Sequence, residues 1–416
     1  MIKFGTDGIR GLYPSYINED VCYRIGKAIN FVSKVIIGYD TRESSFSLAK
    51  ALYKGLKENN IEVVVLGVSS SPKTFFLSKL DECLAIEITA SHNPYFYNGL
   101  KFVYKGYKIN SLMKKQILLN YDETKKYLEN SVNFEIINDY RYENYLSKIV
   151  DENKYKILFD LDHGALANMD ISKLVNNTFI INENYDGKDI NQNVGALYPD
   201  FLQNKLIELN YDFGFCFDGD ADRVIMVDKE NIYDGDDLLY FLADSLKQKE
   251  IVFTYMSNLA LKHKLEDLNI NSLICDVGDE NVTKVLLEEH LLLGGEKAGH
   301  IIYTPHLASG DGLFIALLMI RLINEKEIDI SSYLKEFKKY YYEEINVSSK
   351  NIDEAKINLI RELIELISDE SRLILRKSGT EDKYRILVES KFEKKFILLK
   401  KYISLIIGGN NESNNT

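Results

Sequence analysis

The sequence is poor in cysteine and has no excess of basic residues, and both shortages exclude classes of protein. Its four cysteines, Cys22, Cys83, Cys216 and Cys275, lie far apart without paired spacing. Disulfide frameworks and Cys-rich zinc sites need such pairs, so we expect free thiols in a reducing compartment. The net charge is −12, whereas nucleic-acid binding needs clustered Lys and Arg. The composition therefore argues against a nucleic-acid partner.

Long apolar runs are also missing. The longest apolar stretch, LFIALLMIRLI at 313–323, is too short to cross a bilayer and contains Arg321. The first residues, MIKFGTDGIRG, include no apolar segment of the kind that signal peptides carry. We therefore expect a cytoplasmic protein with no membrane partner.

What the chain does contain is a repeated alternation of short apolar runs and amphipathic stretches. Its 416 residues, 45% of them hydrophobic, suffice for roughly two to four domains, each with its own core. The pattern predicts three βαβ units with parallel strands and helices on both faces, whose ligands gather at the carboxyl ends of the strands. The strand pairs are expected at 35–40 with 62–67, 156–162 with 178–182, and 251–256 with 272–277.

Polar breaks near 151–154 and 232–237 separate the three units. The last part of the chain predicts a smaller α+β piece with helices over 353–367 and 391–406. We therefore predict an α/β protein with mixed, largely parallel sheets and four domains, 1–153, 154–234, 235–341 and 342–416.

A turn between two apolar strands carries three aspartates, Asp218, Asp220 and Asp222. Carboxylates at alternating positions converge on one hard cation, and oxygen ligands without His or Cys favour magnesium over zinc. An EF-hand does not fit, because Arg223 stands where that loop needs Gly and Lys229 where it needs Glu. A solvated acidic turn is the alternative.

A second turn, RKSGTEDKYR at 376–385, is typical of a pocket for a dianion. Backbone N–H groups, hydroxyls and paired guanidinium groups all bind phosphate. A plain β-hairpin turn is the alternative, and a GxxxxGK[ST] loop is absent from the sequence. The candidate phosphate ligands are Arg376, Ser378, Gly379, Thr380 and Arg385.

A third turn, GGEKAGH at 294–300, offers a carboxylate and an imidazole on a glycine-rich segment. Glu296 and His300 are candidates to hold sugar hydroxyls. An ordinary turn is the alternative.

Ser91 occurs in TASHNPYFYNGLK at 89–101, directly after an apolar run. It is open to three interpretations: a hydrolase nucleophile, a helix N-cap or a phosphoryl carrier. The hydrolase fits poorly, because His92 is a sequence neighbour and no GxSxG elbow surrounds the serine. Together with the metal turn, the dianion pocket and the sugar turn, Ser91 favours phosphoryl transfer between a protein serine and a phosphorylated small molecule.

Six motifs in order carry a family resemblance: FGTDGIRG, TASHNP with NGLK, DGDADR, MSNL, GGEKAGH and RKSGTE. The chain resembles the α-D-phosphohexomutase superfamily almost from end to end, most closely its bacterial phosphoglucosamine mutase branch. The resemblance implies four domains around a central cleft, three of related α/β topology. It also implies a mutase that moves phosphate between C6 and C1 of glucosamine phosphate through a phosphoserine and a sugar bisphosphate.

The resemblance assigns roles to residues of this chain. Ser91 carries the phosphoryl group, and with Asp218, Asp220 and Asp222 it binds Mg²⁺. The sugar bisphosphate serves as intermediate and activator. The expected binding partner is a phosphorylated hexosamine or hexose. The protein itself is expected to be a monomer or homodimer. Basic groups of the transfer site are Arg10, His92, Lys101 and Arg223, sugar ligands are Glu296 and His300, and phosphate ligands are Arg376, Ser378, Gly379, Thr380 and Arg385.

The sequence departs from the family pattern at Lys297 and Ala298 in the sugar turn, at Asp382 after the phosphate turn and at Glu280. These departures leave glucose or mannose phosphate as alternative substrates. Two further hypotheses are a metal-dependent sugar phosphatase and a sugar-phosphate-binding protein without turnover. Retention of Ser91 and all three aspartates argues against the binding protein, since mere binding needs neither.

Overall fold

The computed structural model describes residues 2–5, 7–128, 133–368, 370–377 and 382–408, which form two compact units. Unit 1 comprises Met1–Tyr255 and Ser272–Tyr333, and unit 2 comprises Met256–Asn271 and Leu334–Thr416. None of the helices in the described part of the chain is long and apolar enough to cross a bilayer.

The first sheet of unit 1 has the strand order β1-β5-β4-β2-β3, with β6 paired to β5. Strand β2 is parallel to β3 and β4, whereas β5 is antiparallel to β1, β4 and β6. The strands are β1 (Ile9–Leu12), β2 (Lys34–Tyr39), β3 (Glu62–Val68), β4 (Leu84–Ile88), β5 (Tyr97–Tyr104) and β6 (Tyr107–Lys108). The helices are α1 (Glu19–Ala28), α2 (Ser45–Lys57), α3 (Ser71–Leu80), α4 (Ser111–Asn120) and α5 (Arg141–Leu146).

Alternation along the strands sorts side chains between the two faces of this sheet. Leu84, Ile86 and Ile88 of β4 join one buried cluster with residues of α1 and α2. The residues between them point to the opposite face, against which α3 packs. Glu87 and its direct cross-strand partner Lys101 are therefore on the α3 side.

The second sheet of unit 1 has the order β11-β10-β9-β7-β8. Strand β7 is parallel to β8 and β9, and β10 is antiparallel to β9 and β11. The elements are β7 (Ile157–Asp160), β8 (Thr178–Ile181), α6 (Pro199–Leu209), β9 (Phe213–Phe217), β10 (Val224–Asp228) and β11 (Ile232–Tyr233). The helix expected between 162 and 178 was a wrong prediction, because that segment forms turns and one short 3-10 helix, Ile171–Lys173.

The third sheet has the order β13-β12-β14-β15, with β12 parallel to β14 and β14 antiparallel to β15. Its strands are β12 (Glu250–Thr254), β13 (Asn271–Cys275), β14 (Leu293–Gly295) and β15 (Ile301–Tyr303). The helices of this part of the chain are α7 (Gly235–Ser245), α8 (Leu259–Asp267), α9 (Asp279–Glu288), α10 (Gly312–Lys326) and α11 (Ile330–Lys335), of which α8 lies in unit 2.

Unit 2 contains an antiparallel sheet in the order β16-β18-β17, covered by two amphipathic helices. The two predicted C-terminal helices are confirmed, with ends within a few residues of the expected ones. The elements are β16 (Tyr341–Ser348), α12 (Glu354–Glu365), β17 (Ser371–Lys377), β18 (Lys383–Ser390) and α13 (Glu393–Ile407).

The predicted fold class, mixed α/β with several sheets, is confirmed. The sheets are more antiparallel than the βαβ pattern predicted, because segments too short to hold a crossover helix join β4 to β5, β9 to β10 and β14 to β15. The four sheets span residues 9–108, 157–233, 250–303 and 341–390. The domain boundaries stay a prediction.

Candidate active site

Ser91 lies in the serine turn (residues 89–96), which joins β4 to β5 and is followed directly by a strand. The N-cap interpretation is therefore wrong. Ser91 has φ 52°, in the left-handed region that costs a non-glycine residue about 1–2 kcal/mol. Its N–H donates to Thr89 Oγ1 at 2.9 Å, and its side chain is buried. The backbone is thus held in an unusual conformation at the residue whose hydroxyl is of interest.

The three aspartates lie in the aspartate loop (residues 218–223), the connection between β9 and β10. Ala221, at φ 61°, donates its N–H to the Asp218 carbonyl and closes the turn. Asp218, Asp220 and Asp222 are at most 4% exposed, and one oxygen from each lies within 4.8 Å of the others. Because buried carboxylates are not solvated, the acidic-surface-turn interpretation is wrong.

The serine turn and the aspartate loop meet at a hydrogen bond. Ser91 Oγ donates to Asp218 Oδ2 at 2.7 Å. Burial, then repulsion by Asp222 and Asp220, raises the pKa of Asp218 to about 7. Burial, then repulsion by Asp222, also raises the pKa of Asp220. Three carboxylates this close need compensating positive charge to remain ionised together.

Lys101 supplies part of that charge. Its Nζ lies 2.5 Å from Asp222 Oδ2, 2.7 Å from Asp220 Oδ2 and 3.1 Å from Asp7 Oδ2. Burial opposes its charge, but Asp220 and Asp222 outweigh burial and raise the Lys101 pKa. Lys101 is therefore a buried cation.

The remaining carboxylate oxygens fit a metal ion. Lys101 occupies Oδ2 of Asp220 and of Asp222, and Ser71 Oγ also donates to Asp220 Oδ2. Oδ1 of Asp220 accepts no hydrogen bond from the described residues, and Oδ1 of Asp222 has His300 Nδ1 3.4 Å away. Orphaned, buried, all-oxygen donors are the set that hard cations prefer. The aspartate loop is thus a candidate metal site.

His92 lies beside the serine hydroxyl, with Nδ1 3.3 Å from Ser91 Oγ. Burial, then the charges of Arg223 and Arg10, lowers the pKa of His92 to about 3. The imidazole is therefore neutral at physiological pH and can hydrogen-bond to the hydroxyl without adding charge.

Two arginines border the serine turn and the aspartate loop. Arg10 on β1 donates to Asn93 Oδ1 at 2.9 Å and to Asp7 Oδ2 at 3.0 Å. Arg223 ends the aspartate loop, with Nε 3.9 Å from Asp218 Oδ2. Arg223 thus lies beside carboxylates of the aspartate loop, and Arg10 lies beside the serine turn.

The sugar turn (residues 296–300) connects β14 to β15 in unit 1, and its backbone closes through two hydrogen bonds between Glu296 and the Gly299–His300 end. Glu296 Oε1 accepts from the Gly278 N–H at 3.0 Å. His300 is buried, with Nδ1 3.4 Å from Asp222 Oδ1. Burial opposes a charged ring, but Asp222 and Asp279 outweigh burial and raise the pKa of His300 to about 9. Its Nε2 lies 3.1 Å from the Gly310 N–H, and where Nε2 accepts this hydrogen bond the ring proton is on Nδ1, facing Asp222. The turn therefore extends from the metal site to an accessible carboxylate.

In unit 2, Arg376 on β17 and Arg385 on β18 are directly opposite cross-strand partners. Like charges in this position destabilise a sheet unless an anion lies between them. Arg385 also lies 3.5 Å from Glu344 on β16, and Arg376 Nε has no hydrogen-bond partner in the described part of the chain. The pair is suited to hold an anion. Ser378, Gly379 and Thr380 lie outside the described residues.

The sequence motifs did not identify several residues that complete the site in unit 1. Asp7 bridges Lys101 and Lys108, and Lys108 also pairs with Asp279 at the start of α9. Ser71 begins α3 and reaches Asp220. Asp7 stands within FGTDGIRG, and Ser71 is the third residue after strand β3. Carboxyl ends of parallel strands are where ligand-binding residues are expected, so that position was the available signal for Ser71.

Comparison with protein families gives two matches. Residues 1–128 match the phosphoglucomutase/phosphomannomutase alpha/beta/alpha domain I, and residues 234–340 match domain III of the same family. The chain is 34% identical to a phosphoglucosamine mutase of Dictyoglomus turgidum, covering 95% of both sequences. It is also 34% identical to that of Limosilactobacillus reuteri, covering 93% of this chain and 94% of the relative.

Solved structures share the fold at low sequence identity. A phosphoglucomutase/phosphomannomutase family protein from Burkholderia thailandensis aligns with a TM-score of 0.80 at 21% identity, over 99% of both chains. Aspergillus fumigatus N-acetylphosphoglucosamine mutase, solved with GlcNAc-6P and magnesium, aligns with a TM-score of 0.67 at 15% identity, over 98% of this chain and 95% of that one.

Proposed function

The chain belongs to the phosphoglucosamine mutase family, and from this premise we propose that it interconverts glucosamine 6-phosphate and glucosamine 1-phosphate. It is an isomerase that works by phosphoryl transfer. The observation that carries the proposal is the hydrogen bond from Ser91 Oγ to Asp218, which joins the serine turn to a buried three-aspartate metal site. Serine hydrolases need a base hydrogen-bonded to the serine and an acid hydrogen-bonded to that base. The described contacts of Ser91 do not form that arrangement.

In the proposed reaction, phosphorylated Ser91 donates its phosphoryl group to a free hydroxyl of the sugar monophosphate. The Oγ–P bond breaks, a bond from phosphorus to the sugar oxygen forms, and the hydroxyl proton passes to a base. The product is a sugar bisphosphate, which reorients. Transfer of its other phosphoryl group back to Ser91 oxygen then releases the isomeric monophosphate and restores the phosphoserine.

We assign the metal site to Mg²⁺, held by Asp218, Asp220 and Asp222 together with the phosphoryl group on Ser91. The all-oxygen donor set supports a hard cation, and the related Aspergillus enzyme was solved with magnesium. When bound, Mg²⁺ neutralises charge on the phosphoryl oxygens.

The basic residues of the transfer site have separate proposed roles. Lys101 is held as a cation by three carboxylates, which supports a role in charge stabilisation over proton abstraction. Arg10 and Arg223 add two guanidinium groups next to the serine turn and the aspartate loop. His92, neutral and 3.3 Å from Ser91 Oγ, orients the hydroxyl through a hydrogen bond.

Substrate contacts are assigned to the sugar turn and to the arginine pair. Glu296 and His300 hold sugar hydroxyls. Arg376 and Arg385, with Ser378, Gly379 and Thr380, grip the phosphate that does not react, which the like-charge pairing of the two arginines supports. Asp382 is exposed at the end of this turn.

A second substrate is favoured by two residues of the sugar turn. Ala298 offers no hydroxyl to the ring, and Lys297 adds a cation to the turn that we assign to the sugar, which disfavours a substrate with an ammonium of its own. Both features favour activity on glucose phosphate beside glucosamine phosphate, because a site lacking a specific polar partner discriminates weakly.

The direct test is an assay of the purified protein with Mg²⁺ and a catalytic amount of glucose 1,6-bisphosphate. Glucosamine 1-phosphate, glucose 1-phosphate and mannose 1-phosphate are compared as substrates, and the mass of the Ser91 peptide is measured before and after. We expect the 6-phosphate isomer as product and one phosphoryl group on Ser91. Release of inorganic phosphate at the rate of substrate loss would instead identify a phosphatase.

A further inference from the structure

Arg42, in the loop between β2 and α2, is a fully buried guanidinium group surrounded by backbone carbonyls. Its Nε donates to Asp40 Oδ2 at 2.8 Å. Its two terminal nitrogens donate to four carbonyl oxygens at 2.6–3.2 Å. These oxygens belong to Ser91, Asn93, Pro94 and Tyr97. One arginine therefore binds three carbonyls of the serine turn and the first carbonyl of β5.

Asn191, in the segment between β8 and α6, binds the same turn. Its Nδ2 donates to the Ser91 carbonyl at 2.9 Å and to the Asn93 carbonyl at 3.2 Å. Its Oδ1 accepts from the Gly219 N–H of the aspartate loop at 3.2 Å. Asn191 thus connects the backbone that carries the serine to the backbone that carries the metal ligands. The Ser91 carbonyl accepts from both Arg42 and Asn191.

The contacts explain how a left-handed residue stays in place. Ser91 has φ 52°, a conformation that a non-glycine residue keeps only when its surroundings fix it. The charged donors of Arg42 are stronger than neutral ones, and its planar fork fits several acceptors at fixed angles. Loss of the hydrogen bonds from Arg42 or from Asn191 would allow the serine turn to relax. Ser91 Oγ would then move from its position 2.7 Å from Asp218 Oδ2.

We propose that Arg42 and Asn191 are positioning residues for phosphoryl transfer, which fix the serine turn through its carbonyls so that Ser91 Oγ faces the metal site. The inference rests on the proposed function of Ser91 as phosphoryl carrier. Neither residue touches the transferred group, so both act through the backbone of the turn. The residues proposed to bind the sugar and the phosphate lie on other elements. Substrate affinity should therefore not depend on Arg42 and Asn191.

The test compares Arg42→Lys, Asn191→Ala, the double variant and the control Arg321→Lys. Lysine keeps the charge of Arg42 but cannot reach Asp40 and four carbonyls together. Arg321 is a half-exposed arginine paired with Glu325 on α10, so it controls for the same exchange away from the site. Each protein is assayed for kcat and KM with glucosamine 1-phosphate, and for the rate at which glucose 1,6-bisphosphate phosphorylates Ser91.

We expect kcat and the phosphorylation rate of both single variants to fall roughly ten- to a hundredfold, since small displacements of a reacting group cost about this much. KM should change by less than about threefold, because binding is separate from the turn. The double variant should lose less than the product of the two single losses, because both residues hold the Ser91 carbonyl. Thermal unfolding and far-UV circular dichroism identify the variants that are folded at the assay temperature.

An unchanged kcat in a folded Asn191→Ala or Arg42→Lys protein would overturn the inference, as would a loss confined to KM. If Arg42→Lys does not fold, Asn191→Ala decides alone, because it removes an uncharged group. Failure of the proposed function looks different: the parent and Arg321→Lys would then themselves show no mutase activity and no phosphoryl group on Ser91.

Discussion

Replacing Lys101 by Met should destabilise the protein and at the same time strengthen its response to Mg²⁺. Lys101 is 3% exposed, and its ammonium lies 2.5–3.1 Å from carboxylates of Asp222, Asp220 and Asp7. Methionine has a similar length and fills the same space. The substitution therefore removes charge with little loss of packing.

The size of the effect follows from the three distances. At an effective dielectric constant near 20, each contact is worth about 5–7 kcal/mol before desolvation, and desolvation of the buried ammonium offsets most of the total. Removing one partner of a buried ion pair costs about 3–5 kcal/mol net, because the carboxylates left behind are uncompensated. For a cooperative unit the size of unit 1 that corresponds to a fall in the unfolding midpoint of roughly 4–8 °C without metal.

The assay is thermal unfolding of metal-free protein and of protein titrated with Mg²⁺. The variant site carries one more negative charge, so Mg²⁺ should raise its unfolding midpoint by more than it raises that of the parent. Lys105→Met, which removes an exposed lysine paired with Glu82 just beyond β5, is the matched control and should behave like the parent. An unchanged midpoint in metal-free Lys101→Met, or equal responses to Mg²⁺, would refute the assignment of Lys101 as counter-charge of the metal site.

Four further predictions test the proposed function. Ser91→Ala should abolish mutase activity and phosphoryl incorporation while leaving the unfolding midpoint near that of the parent; turnover near the parent rate would contradict the phosphoserine mechanism. Asp220→Asn should cut kcat strongly and raise the Mg²⁺ concentration for half-maximal activity, since one ligand charge is lost; full activity with Ca²⁺ or Zn²⁺ in place of Mg²⁺ would argue against the assigned metal. Arg385→Ala should raise KM for every sugar phosphate by roughly ten- to a hundredfold, which corresponds to the loss of a charge-assisted hydrogen bond to phosphate. The substitution should not lower stability, because the repulsion between the cross-strand arginines disappears. An increase in KM for one sugar only would show that Arg385 contacts the sugar ring instead of the phosphate. Ala298→Ser should change the ratio of kcat/KM for glucosamine 1-phosphate to that for glucose 1-phosphate by a factor equivalent to about 1 kcal/mol, the contribution of one neutral hydrogen bond. The same ratio in the variant and the parent would mean that residue 298 does not contribute to sugar specificity.

Local sequence predicted the elements that carry the chemistry. The strands on either side of Asp218–Asp222 are unbroken apolar runs, so their length and the polar turn between them already indicated a hairpin with converging carboxylates. The C-terminal helices were equally readable from their 3.6-residue periodicity. By contrast, the segment 162–178 lacked the extended hydrophobic periodicity of an α-helix. It forms turns and one 3-10 helix, so the parallel strands β7 and β8 are joined without an α-helix.

The sequence by itself determined which residue types are present and which turn each one occupies: a serine after β4, three aspartates after β9, a carboxylate and an imidazole after β14. Only the tertiary structure decided which of them meet. Ser91 and Asp218 are 127 residues apart, Lys101 and Asp222 are 121 apart, and Ser71 and Asp220 are 149 apart. The residues that hold the serine turn, Arg42 and Asn191, lie in two loops that are far apart in sequence. Hydrophobic periodicity fixes the face of each strand, but the contacts of the aspartate loop with the serine turn, α3 and β5 set these distances and, with them, the pKa shifts of Asp218, Lys101 and His92.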